Sequence, residues 1–421
     1  MNLRGQGVTQ QATSSYRIIV ILWLVTFVSG SQVLIMSPLL PQIGEQVTVS
    51  ETLLGTLITA YAVFVGAFAL IAGPISDRVG RRRILLIGNA IMAIALILHW
   101  ITWDFASLFV VRALAGIAGG ILTGASIAYV SDYFPPERRG WANGWIASGT
   151  SAGLIAGIPI GTIVAEQIGF RWPFLAFGTL LAVTIVFLWR YIPQPDVQRA
   201  DQLTIRSALN GYTALLRRPE GLAAVVTFLI MFGGSSLYMT YLPTWLQTTL
   251  GVGGGAIATM FFFGGLGTTL AGPPAGMLSD HIGRKRFIIV GSFGLAVLMF
   301  ATTHFIVSMW FAYGLFFIVM GLYAARGTPF QTLLTELVAS DERGAFINLA
   351  IGMGQIGSGL GGGLAGAAYA SVGYRGTTMI AGGIMALTGI LIWVFLPETI
   401  TQTEDGLPPA TRRRLSNTRE D

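Results

Sequence analysis

The chain has 421 residues, 53% of them hydrophobic and only 10% charged. Soluble domains carry about a quarter charged residues, so an ordinary soluble fold is excluded. There is no cysteine, which rules out disulfides and thiolate metal sites. The net charge of +6 is scattered between apolar runs, which argues against a nucleic-acid-binding surface.

Twelve runs predict spanning segments, near 18–40, 52–72, 84–102, 106–131, 141–165, 172–192, 221–248, 256–279, 287–307, 310–336, 345–370 and 376–396. Each approaches the ~20 apolar residues that a bilayer core requires. Backbone groups in lipid must be bonded internally, so the runs are helices and the fold class is all-α integral membrane. The first run starts at Ile18 and has no small-residue cleavage site, which predicts a retained helix rather than a signal peptide. An even number of crossings puts both ends on one face. The opposite loops hold only Arg171 and Arg375, and Arg112 and Arg326 lie inside spans, which leaves 21 of the 25 basic residues on the face of the termini. Positive loops stay inside, so both termini are expected in the cytoplasm.

In chain order, residues 1–16 are polar, and the first span carries Ser29, Ser31 and Gln32 before leaving the membrane at PLLPQIGE, Pro38 to Glu45. The second leads into GPISDRVGRRR, Gly73 to Arg83. The fourth holds VRALAGIAGG, Val111 to Gly120, and ends at SDYFPPERRG, Ser131 to Gly140. The fifth holds GTSAGLIAGIPIG, Gly149 to Gly161, and the sixth ends near Pro193. These landmarks then return. GMLSDHIGRKR, Gly276 to Arg286, repeats the first turn, with Asp280 at 203 residues from Asp77 (280 − 77). Gly344 follows Gly140, Gly373 follows Gly169 and Pro397 follows Pro193, each by 204, while Pro243 follows Pro41 by 202. A near-constant offset predicts a duplicated chain. The expected units are 1–193 and 221–400, a connecting segment 194–220 and a polar tail 401–421, the last expected to be disordered. Within the connector, Leu203, Leu209, Tyr212, Leu215 and Leu216 fit one face of a surface helix. A solvated linker is the alternative.

Each residue type in the repeated turn has a physical use. Gly73 and Gly80, with Gly276 and Gly283 in the second copy, let helices approach and the chain reverse. Asp77 and Asp280 can accept hydrogen bonds from the positive end of a neighbouring helix. Arg78 and Arg81 follow Asp77, and Arg81 is expected to pair with Asp132, as Arg284 with Asp280 and Glu336. The pattern resembles the signature of the major facilitator superfamily of secondary transporters, over nearly the whole chain. The resemblance implies two pseudo-symmetric six-helix bundles that rock around a central site. It also implies that these clusters latch the bundles together on the cytoplasmic side, with Asp77 facing the start of the eleventh helix. His281 replaces the arginine at the second copy and weakens that expectation there.

Arg112 lies eight residues from Asp104, ~12 Å below the outer end of its helix. Arg112, Gly116 and Gly120 match the family's R-x-x-x-G-x-x-x-G pattern on the fourth helix. Arg326, ten residues before Glu336, lies ~15 Å from the inner end of the tenth. Its repeat counterpart is Leu122 (326 − 204), so it is not inherited from the duplication. Charges at such depth are costly and usually functional. Both are candidate substrate or coupling residues, with structural arginines as the plain alternative. Ser31, Gln32, Tyr238 and Tyr323 complete the candidate contacts. A wider aromatic and methionine lining would add Trp23, Met36, Phe64, Tyr129, Phe232, Met239 and Phe330. On the fifth helix, Gly149, Gly153, Gly157, Pro159 and Gly161 keep the spacing of the antiporter motif, although the order Gly-Ile-Pro-Ile-Gly departs from it. They predict close helix contact and a kink.

GSGLGGG, Gly357 to Gly363, satisfies a dinucleotide pattern but lacks its strand and acid, so it reads as helix packing. No metal spacing, nucleophile elbow or phosphate loop is present, so no enzyme activity and no cofactor is expected. His99 and His304 read as outer-interface residues. No acid lies near the middle of a span, so proton coupling has no evident carrier and facilitated diffusion stays open. The expected function is proton-linked efflux of amphipathic drugs or metabolites by a monomer in a bacterial inner membrane. Organic-anion uptake or exchange through Arg112 and Arg326 is the second reading, and a non-transporting receptor or scaffold a remote third.

Overall fold

The computed structural model describes residues 3–195, 205–339 and 342–398, with side chains except at 3–14, 73, 74, 77, 127, 136 and 205–208. The tail and Leu203 therefore lie outside the described residues, as do the surroundings of Gly73 and the side chain of Asp77. The apolar runs form long helices, as the need to bond every backbone group in lipid requires. They are α1 (Ser15–Leu34), α2 (Glu51–Ala72), α3 (Arg81–Ile101), α4 (Phe105–Tyr133), α5 (Glu137–Ile168), α6 (Arg171–Tyr191), α7 (Pro219–Leu250), α8 (Gly254–Ile282), α9 (Arg284–Phe305) and α10 (Met309–Glu336). An eleventh helix, Arg343–Phe395, is 53 residues long, too long for one crossing, and contains Gly373 at φ 66°, ψ −179°. It therefore counts as two spans, α11 (343–372) and α12 (374–395), which restores the expected twelve.

The duplication is visible in the backbone. Gly80 closes the helix Thr56–Val79 that continues α2, at φ 103°, ψ 135°, and Gly283 ends α8 at φ 100°, ψ 127°. An L side chain rarely adopts that conformation, so glycine is needed at both reversals. Each is also covered by equivalent residues 204 apart, Gln194 and Glu398, which a Cβ at the glycine would meet at 3.1 and 2.6 Å. At the start of α4, Asp104 and Ser107 form a reciprocal cap, with the Ser107 N–H donating to Asp104 Oδ1 at 2.9 Å. Hydrogen bonds from Ser107 hold the Asp104 carboxyl below the usual carboxylate range.

The first predicted span, 18–40, is divided. Helix α1 ends at Leu34, and a second helix, Met36–Val47, carries the two prolines onward. The connector contains a helix, Ile205–Leu216, with Tyr212 and Leu215 buried and Leu209 exposed. Tyr212 donates to Leu70 O at 3.1 Å, and burial pushes its phenol pKa up. His99 is not at an interface. It is fully buried, with Nδ1 2.8 Å from Ala95 O and its ring stacked 4.2 Å from Phe174, because α6 covers the end of α3.

Helices α1–α6 pack chiefly on one another, as do α7–α12, and the two groups meet along α2 against α11 and α5 against α8. Glycines set the closeness of these seams. A Cβ on Gly66 would lie 2.5 Å from Gly352 O, and Thr59 donates to Gly359 O at 2.6 Å. Outward, large apolar residues stand exposed, including Trp310 at 81%, Val290 at 71% and Trp393 at 67%. Only a hydrocarbon solvent accommodates so extensive an apolar surface.

Candidate functional site: a cavity walled mainly by the first half

A cavity of about 470 Å³ lies on the half of the molecule nearer the repeated turns, here called the motif face. Its walls come from α1, α2, α4, α5 and α10. The apolar part is Val25, Leu122, Ile146 and Ala147. The polar part is neutral throughout and includes Ser29, Tyr61, Ser126, Asn143, Thr150 and Gln331. The Ser29 hydroxyl is buried and finds no hydrogen-bond partner among the described residues. Such a group is costly to leave unbonded and points to a partner that enters the cavity.

Arg112 stands behind this wall. It is 1% exposed, donates from Nη1 to Gln32 Oε1 at 2.9 Å, and lies over the Tyr61 ring at 4.6 Å. Tyr61 thus separates the guanidinium from the cavity it lines. Gly116 and Gly119 make this possible, since a Cβ on Gly119 would meet the Tyr61 hydroxyl at 2.7 Å. Arg326 is fully buried in the other half, 3.3 Å from Ser235 Oγ and 5.5 Å from the Tyr323 ring. Neither arginine borders the cavity just described.

Ser31 and Tyr238 turn inward. Ser31 donates to Phe27 O at 2.7 Å and fits the notch left by Gly153 and Gly157 on α5. That stretch, Gly153–Gly157, is a π-helical turn, which offsets the helix just before Pro159. Gly149 continues the contact against α1, and Gly161 meets Ile35 just past its end. Tyr238 shares a 3.1 Å hydrogen bond with Thr302 and accepts one from Tyr374 on its carbonyl at 2.9 Å. Tyr129 donates to Pro193 O at 3.0 Å, and Phe330 packs on Phe228. Of the aromatic lining anticipated from sequence, Tyr238, Tyr129 and Phe330 are therefore internal to their bundles. The lining found instead has polar residues at helical spacing, Thr26 with Ser29, Thr123 with Ser126 and Asn143 with Thr150. That periodicity was present in the sequence and is the signal that could have located the cavity.

On the motif face, the ion pairs among the described residues join elements within one half, or the end of the connector to the second half. Arg81 Nε meets Asp132 Oδ2 at 2.6 Å, Arg284 meets Asp280 at 3.0 Å and also Glu336, and Arg218 meets Glu342 at 2.6 Å. On the opposite face, contacts cross between halves. Ser37 donates to Met239 O and Thr240 O at 2.7 and 2.8 Å, and the Tyr241 hydroxyl to Glu51 O. The Glu166 carboxylate, at the end of α5, accepts the N–H groups of Gly254 and Gly255 at 2.7 and 3.0 Å at the start of α8. The arrangement is sealed on one face and hollow toward the other.

The profile of the Major Facilitator Superfamily matches residues 22–269 and 224–418. A relative named uncharacterized MFS-type transporter YceJ, from Bacillus subtilis (strain 168), is 27% identical over 91% of this chain and 96% of its own. The multidrug resistance protein MdtG of Salmonella arizonae is 25% identical over 92% of this chain and 97% of its own. A crystal structure of a D-xylose-proton symporter superposes with a TM-score of 0.76 at 17% identity, over 91% of this chain and 98% of that one. At that identity the likeness speaks for the fold alone.

Proposed function

This chain belongs to the Major Facilitator Superfamily, a family of membrane transporters rather than enzymes, and from that premise we propose that it exports an amphipathic drug or metabolite by alternating access. The observation that carries the reading is the cavity of about 470 Å³, walled by α1, α2, α4 and α5 of the first half and closed by Gln331 of the second, in a molecule whose halves are hydrogen-bonded together on the opposite face. Apolar walls with scattered neutral hydrogen-bonding groups suit a molecule that is largely apolar with a few polar atoms. The relative named for multidrug resistance and the small-residue seam between α1 and α5 support export. We place the motif face in the cytoplasm from its excess of basic residues, and the protein in a bacterial inner membrane. The units that rock are 1–193 and 221–400, joined by 194–220. The driving force we assign is the proton gradient.

A second reading, uptake or exchange of an organic anion, has its own support. Arg112 and Arg326 are both buried, and the described acids stand at or beyond helix ends. One experiment separates the readings. The protein is reconstituted in proteoliposomes under imposed pH and voltage gradients with neutral, cationic and anionic amphiphiles. Proton-linked export predicts flux of a neutral or cationic probe that collapses with the pH gradient, whereas the anion reading predicts flux of the anionic probe. Absence of flux for every probe under every gradient refutes both.

A further inference from the structure

Arg326 is held between three helices with its charge unanswered. Gly291 of α9 lies against its stem, where a Cβ would come within 3.4 Å of the Arg326 Cβ. Nη2 reaches Ser235 Oγ on α7 at 3.3 Å, but Nε and Nη1 find no partner among the described residues. The Ser292 hydroxyl is likewise buried and unbonded, and it shares the buried face of α9 with Ile288, Gly291 and Leu295. The described acids of this half, Glu220, Asp280, Glu336, Glu342 and Glu398, all stand at or beyond helix ends. A neutral hydroxyl and the face of Tyr323 do not replace a counter-charge for an enclosed guanidinium.

The two halves differ at this point. Ser235 occupies the repeat position of Gln32, since 235 − 32 = 203, the offset that relates Asp77 to Asp280. In the first half, the long Gln32 side chain brings its carbonyl oxygen to Arg112 Nη1 at 2.9 Å and leaves only Nε among that arginine's buried donors without a partner in the described residues. In the second, a shorter hydroxyl leaves two donors open. Helix α10 can also give way here. Pro329 lies inside the helix and has no N–H for the Ala325 carbonyl, and nothing stands within 4 Å of a Cβ placed on Gly327.

We propose that Arg326 is the centre of a monovalent-anion site in the second half, flanked by Ser235, Ser292 and Tyr323, that takes either the carboxylate of an organic substrate or a halide. One guanidinium balances one negative charge, and the enclosure selects a small or flat anionic group. The route by which the anion arrives rests on the transporter reading, but its binding does not.

The test uses the full chain in detergent, with unfolding temperature followed during titration with chloride, acetate and benzoate. Ionic strength is held constant with bulky gluconate. A saturable rise of a few degrees is expected for at least one of the three. It should vanish in Arg326→Gln, persist in the exposed control Arg375→Gln, and return with a changed anion order in Arg326→Lys. The lysine variant keeps the charge, so it carries the test if Arg326→Gln does not fold. No saturable rise in the parent protein, or the same rise in Arg326→Gln, overturns the site. Labelled benzoate in proteoliposomes then identifies the source. Flux that chloride inhibits assigns a transported carboxylate, and a chloride-induced rise without benzoate flux assigns a resident halide. Flux of a neutral probe with no anion effect would sink this site and leave the transport reading standing.

Discussion

Glu166 shows how one side chain can tie two bundles together. Its two oxygens take the first free N–H groups of α8, where the helix dipole favours negative charge. The glycines at 253 and 254 let it approach, since a Cβ there would lie 2.6 and 2.9 Å from its oxygens. A charge in that position contributes about 0.3–1 kcal/mol when exposed, equivalent to a two- to fivefold shift between sealed and open states. Glu166→Ala should therefore speed maleimide labelling of a cysteine placed at Ser37 by about that factor. The chain has no native cysteine to confuse the readout. Unchanged labelling would mean that the seal holds without this carboxylate. Arg112 and Arg326 were legible in the sequence because a charge inside an apolar run is conspicuous. Glu166 was not, because an acid at a helix end is ordinary and its partners are 88 and 89 residues away.

Among the elements, α11 shows why glycine is so frequent in this chain. Gly357 and Gly361 face the backbone of α7 at Leu229 and Gly233, while Gly359 and Gly366 face α2. The GSGLGGG stretch is thus a two-sided packing surface, as its lack of a preceding strand implied. The fifth helix uses the same device on one side, against Ser31. A methyl at Gly357 would strike a carbonyl of α7, so a helix must move. A methyl at Gly157 would strike the Ser31 side chain, which can rotate. Overpacking costs about 1–3 kcal/mol, and Gly357→Ala should fall at the upper end and Gly157→Ala at the lower. Thermal melting in detergent should also show that Ser31→Ala recovers part of the loss in Gly157→Ala and none in Gly357→Ala. Equal penalties without rescue would indicate that these distances do not govern the seams. The number and type of helices could be read from hydropathy alone. Their partners could not, because small residues line many faces, and the break at Ile35 lies within an unbroken apolar run.

At the scale of the whole molecule, the repeat was legible from five landmarks at offsets of 202–204, and the backbone angles of Gly80 and Gly283 give it physical form. The conformational state could not be read from sequence, because both states share one set of residues and differ only in which contacts cross between halves. Here Ser37, Glu51 and Glu166 bind the second half on the opposite face. Transport by alternating access requires these contacts to break while others form at the motif face, where we propose that Asp77 caps the start of α11. A pair of cysteines, Ser37→Cys with Thr240→Cys, tests both ends of the cycle. Bridging them with a short bifunctional thiol reagent should abolish flux, and a cleavable bridge should restore it on reduction. Adding Asp77→Asn should raise the bridging yield about two- to fivefold if a charge–dipole contact of about 0.3–1 kcal/mol holds the other state. Flux that continues through the bridged protein would remove the opposite face from the gating cycle. A yield insensitive to Asp77 would confine that residue to setting topology.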